Sequence, residues 1–263
     1  MQIDIAKQNS PLMISVKNND GILIPIQELD QFLYGERDLR ILCMLHGQEL
    51  FDILYDDHGL IRYDENKFAL SKIIEIDTER TVMSIMGKVG ESVIVRRCTQ
   101  YINMNLTWMR IASGRRVQRR TAEIFRAVGT GFKGTERNYP KVYNPNDTQR
   151  DIIWIDENGY RYQMGDSTST SGVDAGLQVK VSTRGMSYVY RDVLDGIYEV
   201  PLVYFDLDKD YGLVYRRVQQ ELRNRGETAR DIQDWFISGR DIDPDAYYEI
   251  DYYTEMVRAM VKG

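Results

Sequence analysis

Three stretches of the chain share one pattern of apolar and polar positions. ISVKNNDGILIPI, DILYDDHGLIRY and IIWIDENGYRYQ each set a polar cluster ending in Gly between two β-favouring runs. Asn-Gly and Asp-Gly accept positive φ at low cost, so the pattern predicts hairpins near 12–27, 51–63 and 152–163. Residues 68–128 read mostly as helix, with 91–109 ambiguous between helix and strand. The Gly, Pro and Asn content of 129–150 predicts a long loop. Residues 160–205 read as sheet, interrupted by the loop QMGDSTSTSGVDAG, with a further hairpin at Asp195-Gly196.

The last fifty residues read as helices. Asp210 is placed to cap a helix with apolar positions Val214, Val218 and Leu222, ended by Gly226. Thr228 and Asp231 resemble a capping box opening a short helix through Trp235 and Phe236. Asp243 is placed to cap a last helix that has Pro244 at its first position. The expected fold is α+β, with a helix-rich body and N-terminal hairpins over 1–128, a β-rich insertion over 129–210, and C-terminal helices over 211–263.

The segment SGRRVQRRTAEIFRAVG changes this picture. On a helical wheel Val117, Thr121, Ile124, Phe125 and Val128 share one face, and Arg115, Arg116, Arg119, Arg120 and Arg126 lie opposite. Ser113 would cap this amphipathic helix and Gly129 would end it. Its basic face suits phosphate contacts, or else acidic stretches across a subunit boundary. No aromatic residue interleaves with these arginines, which argues against stacking of single-strand bases on them.

In the last helix Ala246, Ile250, Tyr253, Val257 and Met260 recur at coiled-coil-like spacing. Such a stripe docks on the chain's own core or on a neighbouring subunit. The whole chain of 263 residues carries a formal charge of -6, so its basic segment stands out. Residues 101–150 hold ten Lys/Arg and three Asp/Glu, a balance of +7, and residues 201–263 hold nine and thirteen, a balance of -4. That asymmetry fits either a nucleic-acid surface or oppositely charged faces meeting between subunits. The 18 tyrosines suit interfaces and β-rich cores alike. No apolar run approaches the length of a membrane span, and the first residues carry no secretory pattern. Cys43 and Cys98 are too few for a disulfide framework and read as buried thiols.

Catalytic and cofactor motifs are weak. Gly129 to Gly134 matches G-x-G-x-x-G, but a helix is expected before it and a loop after it, the reverse of a dinucleotide site. Asp206, Asp208 and Asp210 open like a calcium loop, as do Asp241, Asp243 and Asp245, yet the required Gly and Glu are missing downstream. Gln178-Val-Lys180 with Asp166 or Asp174 bears a faint likeness to nuclease sites, in which carboxylates hold Mg²⁺ and a lysine assists. Cys43 and His46 stand three apart, and a zinc site has no suitable spacing. No cofactor is expected.

The body containing SGRRVQRRTAEIFRAVG, the β insertion and the terminal DPDAYYEIDYYTEMVRAMVKG together resemble, in organisation over most of the chain, the head-to-tail connector, neck or tail proteins of tailed bacteriophages. The resemblance implies a non-enzymatic virion part: a homo-oligomeric ring around a DNA channel, meeting portal or tail proteins, with non-specific DNA contact and no membrane. It carries over no functional residue. The alternative expectation is a nucleic-acid-binding protein or metal-dependent nuclease, gripping phosphates with Arg115 to Arg126 and holding a metal at Asp166 or at Asp206 and Asp208. A third is a regulator that binds a protein partner through its last helix.

Overall fold

A computed structural model describes residues 13–17, 23–28, 47, 49–64, 67–70, 77–164, 172–227 and 232–262. The chain divides into two compact units, 1–74 and 75–263. In the first, strand β1 (Met13–Lys17) pairs antiparallel with β2 (Leu23–Glu28), as the first hairpin predicts. The register shifts between Ile14 and Ser15, opposite Pro25, which has no N–H for the ladder.

The second expected hairpin is not formed. Residues 49–57 are helical and close in a π-helical turn over Ile53–Asp57. Leu50, Phe51, Ile53 and Leu54 are buried at helical spacing, and the Phe51 ring stacks on Tyr55 one turn on, with centroids 5.3 Å apart. The DDHG cluster therefore ends a helix rather than turning a hairpin, and Gly59 takes φ of 61°. The hairpin comes later, between β3 (Ile61–Asp64) and β4 (Lys67–Leu70).

The second unit is α+β, built on one five-stranded mixed sheet in the order β5-β6-β7-β8-β9. Its strands are β5 (Arg126–Gly129), β6 (Ile152–Ile155), β7 (Gly176–Ser182), β8 (Leu202–Asp206) and β9 (Phe236–Ser238). The first three pair antiparallel, and β7, β8 and β9 run parallel. A parallel pair needs a crossover, which α5 (Gly185–Tyr188) and α6 (Tyr190–Leu194) supply between β7 and β8. Asp195-Gly196 consequently turns the chain out of α6, with Gly196 at φ 59°, and makes no hairpin. Between β8 and β9 run α7 (Tyr211–Asn224) and the short α8 (Ile232–Trp235). Every residue of β6 and of β8 is buried, as expected where both faces of a sheet are covered.

The boundaries at 128 and 210 do not divide this unit. β5 straddles the boundary at 128 and β9 lies in the expected tail, yet both belong to the sheet. The expected hairpin near 152–163 is reduced to β6, a bridge from Ile155 to Arg161, and a Tyr162 N–H donating to the Trp154 carbonyl at 2.8 Å. The expected loop over 129–150 contains a short helix, α4 (Lys133–Asn138). Part of the QMGDSTSTSGVDAG loop, with Asp166, falls outside the described residues, as do Thr228, Asp231, Cys43 and His46.

The ambiguous stretch 91–109 is helical. α1 (Thr78–Gln100) begins at Asp77, whose carboxylate accepts the Glu79 N–H at 2.9 Å, and α2 (Ile102–Ser113) follows a break at Tyr101. α1 packs on β7 through Gly90, where an added Cβ would stand 2.7 Å from the Val181 Cγ2. Gly90→Val is expected to destabilise the protein by about 2–3 kcal/mol through overpacking, read as a lowered urea midpoint at unchanged m-value.

α1 also packs on α9 (Pro244–Lys262). Asp243 caps that helix, its Oδ1 accepting the Ala246 N–H at 3.1 Å, with Pro244 first, as the sequence predicts. Ala246, Ile250, Tyr253 and Val257 are fully buried within this chain, and Met260 is half-buried. Arg97 of α1 donates to Asp243 at 2.6 Å and to Asp245 at 3.2 Å, and Arg258 reaches Glu79 at 3.1 Å. The stripe assigned to a subunit interface thus docks on the chain's own α1, because α1 offers an apolar surface flanked by matching charges. Among the described residues no helix is long and apolar enough to cross a membrane.

Candidate functional site

The arginine segment is not one helix. α2 runs through Ser113, whose Oγ donates back to the Met109 carbonyl at 2.7 Å and so caps nothing downstream. Gly114 turns left-handed, Arg115 and Arg116 lie in the connection, α3 (Arg119–Ile124) spans only six residues, and Arg126 opens β5. The helical pattern is overridden because β5 pairs with β6 and because Ile124, on the expected apolar face, is exposed. Arg115 stacks over Tyr162 at 4.5 Å and Arg126 over Tyr139 at 4.8 Å, while Arg119 pairs with Glu123 at 3.3 Å. Arg116, Arg119 and Arg120 are exposed.

Charge is buried elsewhere, at a split in the sheet. β6 and β7 pair only at Ile152↔Leu177 and Ile153↔Gly176, after which β7 turns to β8. Asp151, immediately before β6, fills the vacated edge. Its Oδ2 accepts the Val179 N–H at 2.8 Å and the Gln178 Nε2 at 2.6 Å. Its backbone is fixed by the Leu177 carbonyl and by the N–H of Thr130, both at 2.9 Å. Gln178 is 93% buried (7% exposed), and its Oε1 has no hydrogen-bond partner.

α1 brings two more groups to the split. Glu91 is buried, and Lys88, one turn before it, donates to its Oε1 at 2.8 Å. Burial, and then the neighbouring Asp151, push the Glu91 carboxyl up to about 8, against the pull of Lys88 and Lys180. Burial likewise raises Asp151. Lys180, two residues after Gln178 on β7, lies against the Tyr188 and Tyr198 rings at 5.3 and 5.5 Å. Burial alone would lower this lysine, but the two tyrosines and Asp151 outweigh it and hold it cationic. The Tyr198 hydroxyl is anchored by donation to the Asp192 Oδ2 at 3.0 Å.

The cluster therefore holds a buried and a partly buried carboxyl, an unpartnered amide oxygen and two ammonium groups. Among the described residues no group of three or more His, Cys, Asp or Glu side chains could hold a metal. Mg²⁺ does not need one. It binds through one or two carboxylates plus substrate phosphates and retained waters, and it takes oxygen ligands only. Glu91, Asp151 and Gln178 Oε1 fit that donor set, and a cation there would satisfy the buried amide oxygen.

Gln178 and Lys180 are residues the sequence singles out; of the two carboxylates expected with them, Asp166 lies outside the described residues and Asp174 is held elsewhere. Asp174 is engaged by Arg161 at 2.7 Å and by Gln163 at 2.5 Å. The acids that meet Lys180 electrostatically are Glu91 and Asp151. Their one local signal is an acid set against apolar runs, in VGESVIV and DIIWI. The Asp206 and Asp210 carboxylates serve the fold: Asp206 accepts the Tyr211 N–H at 3.0 Å, and Asp210 accepts from Gly185 N at 2.7 Å and from Tyr204 at 2.8 Å. Asp206 Oδ1 is buried without a partner, and burial raises this carboxyl. Cys98 is buried in α1, and burial pushes its thiol up.

The raised Glu91 carboxyl sets a pH dependence. Between its ordinary 4.5 and about 8 the folded chain binds more protons than the unfolded one, so its contribution to stability falls as pH rises through that window. Metal-free protein is expected to lose this contribution on thermal unfolding between pH 5 and pH 8.5, and Glu91→Gln to remove that component. A divalent cation held there would displace the proton, so Mg²⁺ affinity is expected to rise with pH over the same range by calorimetric titration.

No protein-family model, curated protein or solved structure matches the chain. What fold and site together define is an α+β domain with an acid, amide and lysine cluster at the split edge of a mixed sheet.

Proposed function

We propose that residues 75–263 form a divalent-metal-dependent nuclease. The observation that carries this reading is the unpartnered, buried Gln178 Oε1, on a side chain whose Nε2 donates to Asp151, with Glu91 near enough to Asp151 to interact with it electrostatically and Lys180 two residues further along the same strand. Buried ion pairs rarely add stability over apolar packing, so stability alone gives little reason for such a cluster and metal chemistry gives one. The connector expectation rests on organisation along the chain, and the nuclease reading rests on this geometry.

A bound Mg²⁺ would supply Lewis acidity at a phosphoryl oxygen and a more acidic water. Glu91, Asp151 and Gln178 Oε1 would hold it. Hydrolysis then joins the water oxygen to phosphorus, breaks one P–O ester bond and leaves the water proton on the departing alkoxide. Lys180 stays protonated and stabilises negative charge gathering on the phosphoryl oxygens. Lys88 keeps Glu91 aimed at the split through its hydrogen bond.

The test is incubation of the full chain with plasmid DNA, denatured DNA and RNA, in Mg²⁺ or Mn²⁺ and in EDTA. Cleavage of at least one substrate in metal and none in EDTA is expected. No cleavage of any substrate, with a large discrete oligomer by light scattering, would favour the connector.

A further inference from the structure

Resting on the nuclease reading, the site continues into a groove. On α1, Arg80, Ser84, Lys88 and Glu91 follow at spacings of four, four and three, so they form one stripe of the helix. On β7, Gln178, Lys180 and Ser182 alternate on one face. A groove of about 600 Å³ takes Arg80 and Ser84 from the first stripe and Ser182 from the second, with Arg184, Ser187 and Tyr188 completing its walls; Tyr188 joins it to Lys180, and Lys88 follows Ser84 by one turn. Asp77 and Glu79 stand at its far end.

Between those acids, of which Asp77 pairs with Arg80 at 3.9 Å and Glu79 with Arg258 at 3.1 Å, and the lysines, the groove offers hydroxyls and two guanidiniums, groups that contact phosphate and sugar oxygens without reading sequence. Tyr188 adds an aromatic face. Its ring touches the Lys180 ammonium, yet half of the residue is exposed. A base that stacks on Tyr188 must be unpaired, because a base inside a duplex already has both faces covered.

We propose that this groove seats the nucleotides flanking the scissile phosphate of a single-stranded nucleic acid, with phosphates on Arg80 and Arg184 and a base on Tyr188. The proposal gives the nuclease a preference for single strands or frayed ends.

The experiment is fluorescence anisotropy of a labelled oligothymidylate and of a hairpin duplex of equal length, with the full chain in EDTA so that nothing is cleaved. The single strand is expected to bind at least about tenfold tighter than the duplex. Tyr188→Ala, and Arg80→Ala with Arg184→Ala, are each expected to weaken single-strand binding about tenfold. Tyr188→Phe should keep the affinity, which separates stacking from misfolding. Equal affinity for duplex, or Ala variants that bind as wild type, would overturn the groove. Cleavage is scored separately in Mg²⁺. Groove-dependent binding without any cleavage would sink hydrolysis and keep the groove, and cleavage indifferent to the groove variants would do the reverse.

Discussion

Replacing Asp151 with Asn, or Glu91 with Gln, is expected to lower metal-dependent cleavage by about 10³-fold or more while the fold persists. Each change removes one of the two carboxylates available to the metal, and a bound metal ion supplies several kcal/mol of transition-state stabilisation. The fold should hold for different reasons at the two positions. In Asp151→Asn the amide oxygen can still accept the Val179 N–H that closes the strand edge. In Glu91→Gln a buried carboxyl already pushed up to about 8 becomes a neutral group of the same shape. Unfolding midpoints at pH 8 therefore fall little or rise, while activity falls in both variants. A structural cluster would give the opposite pattern, with lost stability and no catalytic signature. Lys180→Met belongs to the same series and should cost about 10²–10³-fold in kcat with metal affinity retained, since the lysine acts on charge rather than on the metal.

Trp154→Ala is expected to give the largest loss of stability, about 4 kcal/mol. The indole is fully buried in β6, and its Nε1 donates to the Asn105 Oδ1 at 2.8 Å. Asn105 in turn donates to the Ala122 and Phe125 carbonyls at 2.7 and 2.8 Å, so one side chain ties α2, α3 and β6 together. Truncation opens a cavity and leaves a buried amide oxygen unpaired. The expected shift in Tm is about -10 °C for a unit of this size. Asp151 lies three residues earlier, immediately before the same strand, so metal affinity in Trp154→Ala should fall as well, measured below the lowered Tm.

Local chemistry made some of this fold legible. The terminal helix was readable to its cap, because Asp243, Pro244 and the stripe through Val257 are short-range signals. The first hairpin was readable from its turn residues. The helix assigned to 115–128 was not, because strand pairing with β6 outweighs helical periodicity in RAVG. β9 is three residues long and lies beside helices, so no periodicity can announce it. The parallel pairing of β7 and β8 was hidden behind a Gly turn that looked like a hairpin.

The site was half legible for a related reason. Gln178 and Lys180 sit two apart on one strand, so their shared face can be read from spacing alone. Glu91 and Asp151 come from a helix and from the neighbouring strand, and only the packing of Gly90 on β7 and the divergence of β6 from β7 bring them there. The arginines, prominent in the sequence, lie toward the far end of β5: Arg126 pairs with Ile155, whereas Gly129 pairs with Ile152 beside Asp151.

The most direct measurement is Mn²⁺ binding by electron paramagnetic resonance, on wild type and on the Asp151→Asn and Glu91→Gln variants at pH 8. The nuclease account predicts saturable uptake by the wild type, competed by Mg²⁺ and lost in both variants. Wild-type protein that takes up no Mn²⁺, or variants that bind it equally well, would contradict the account.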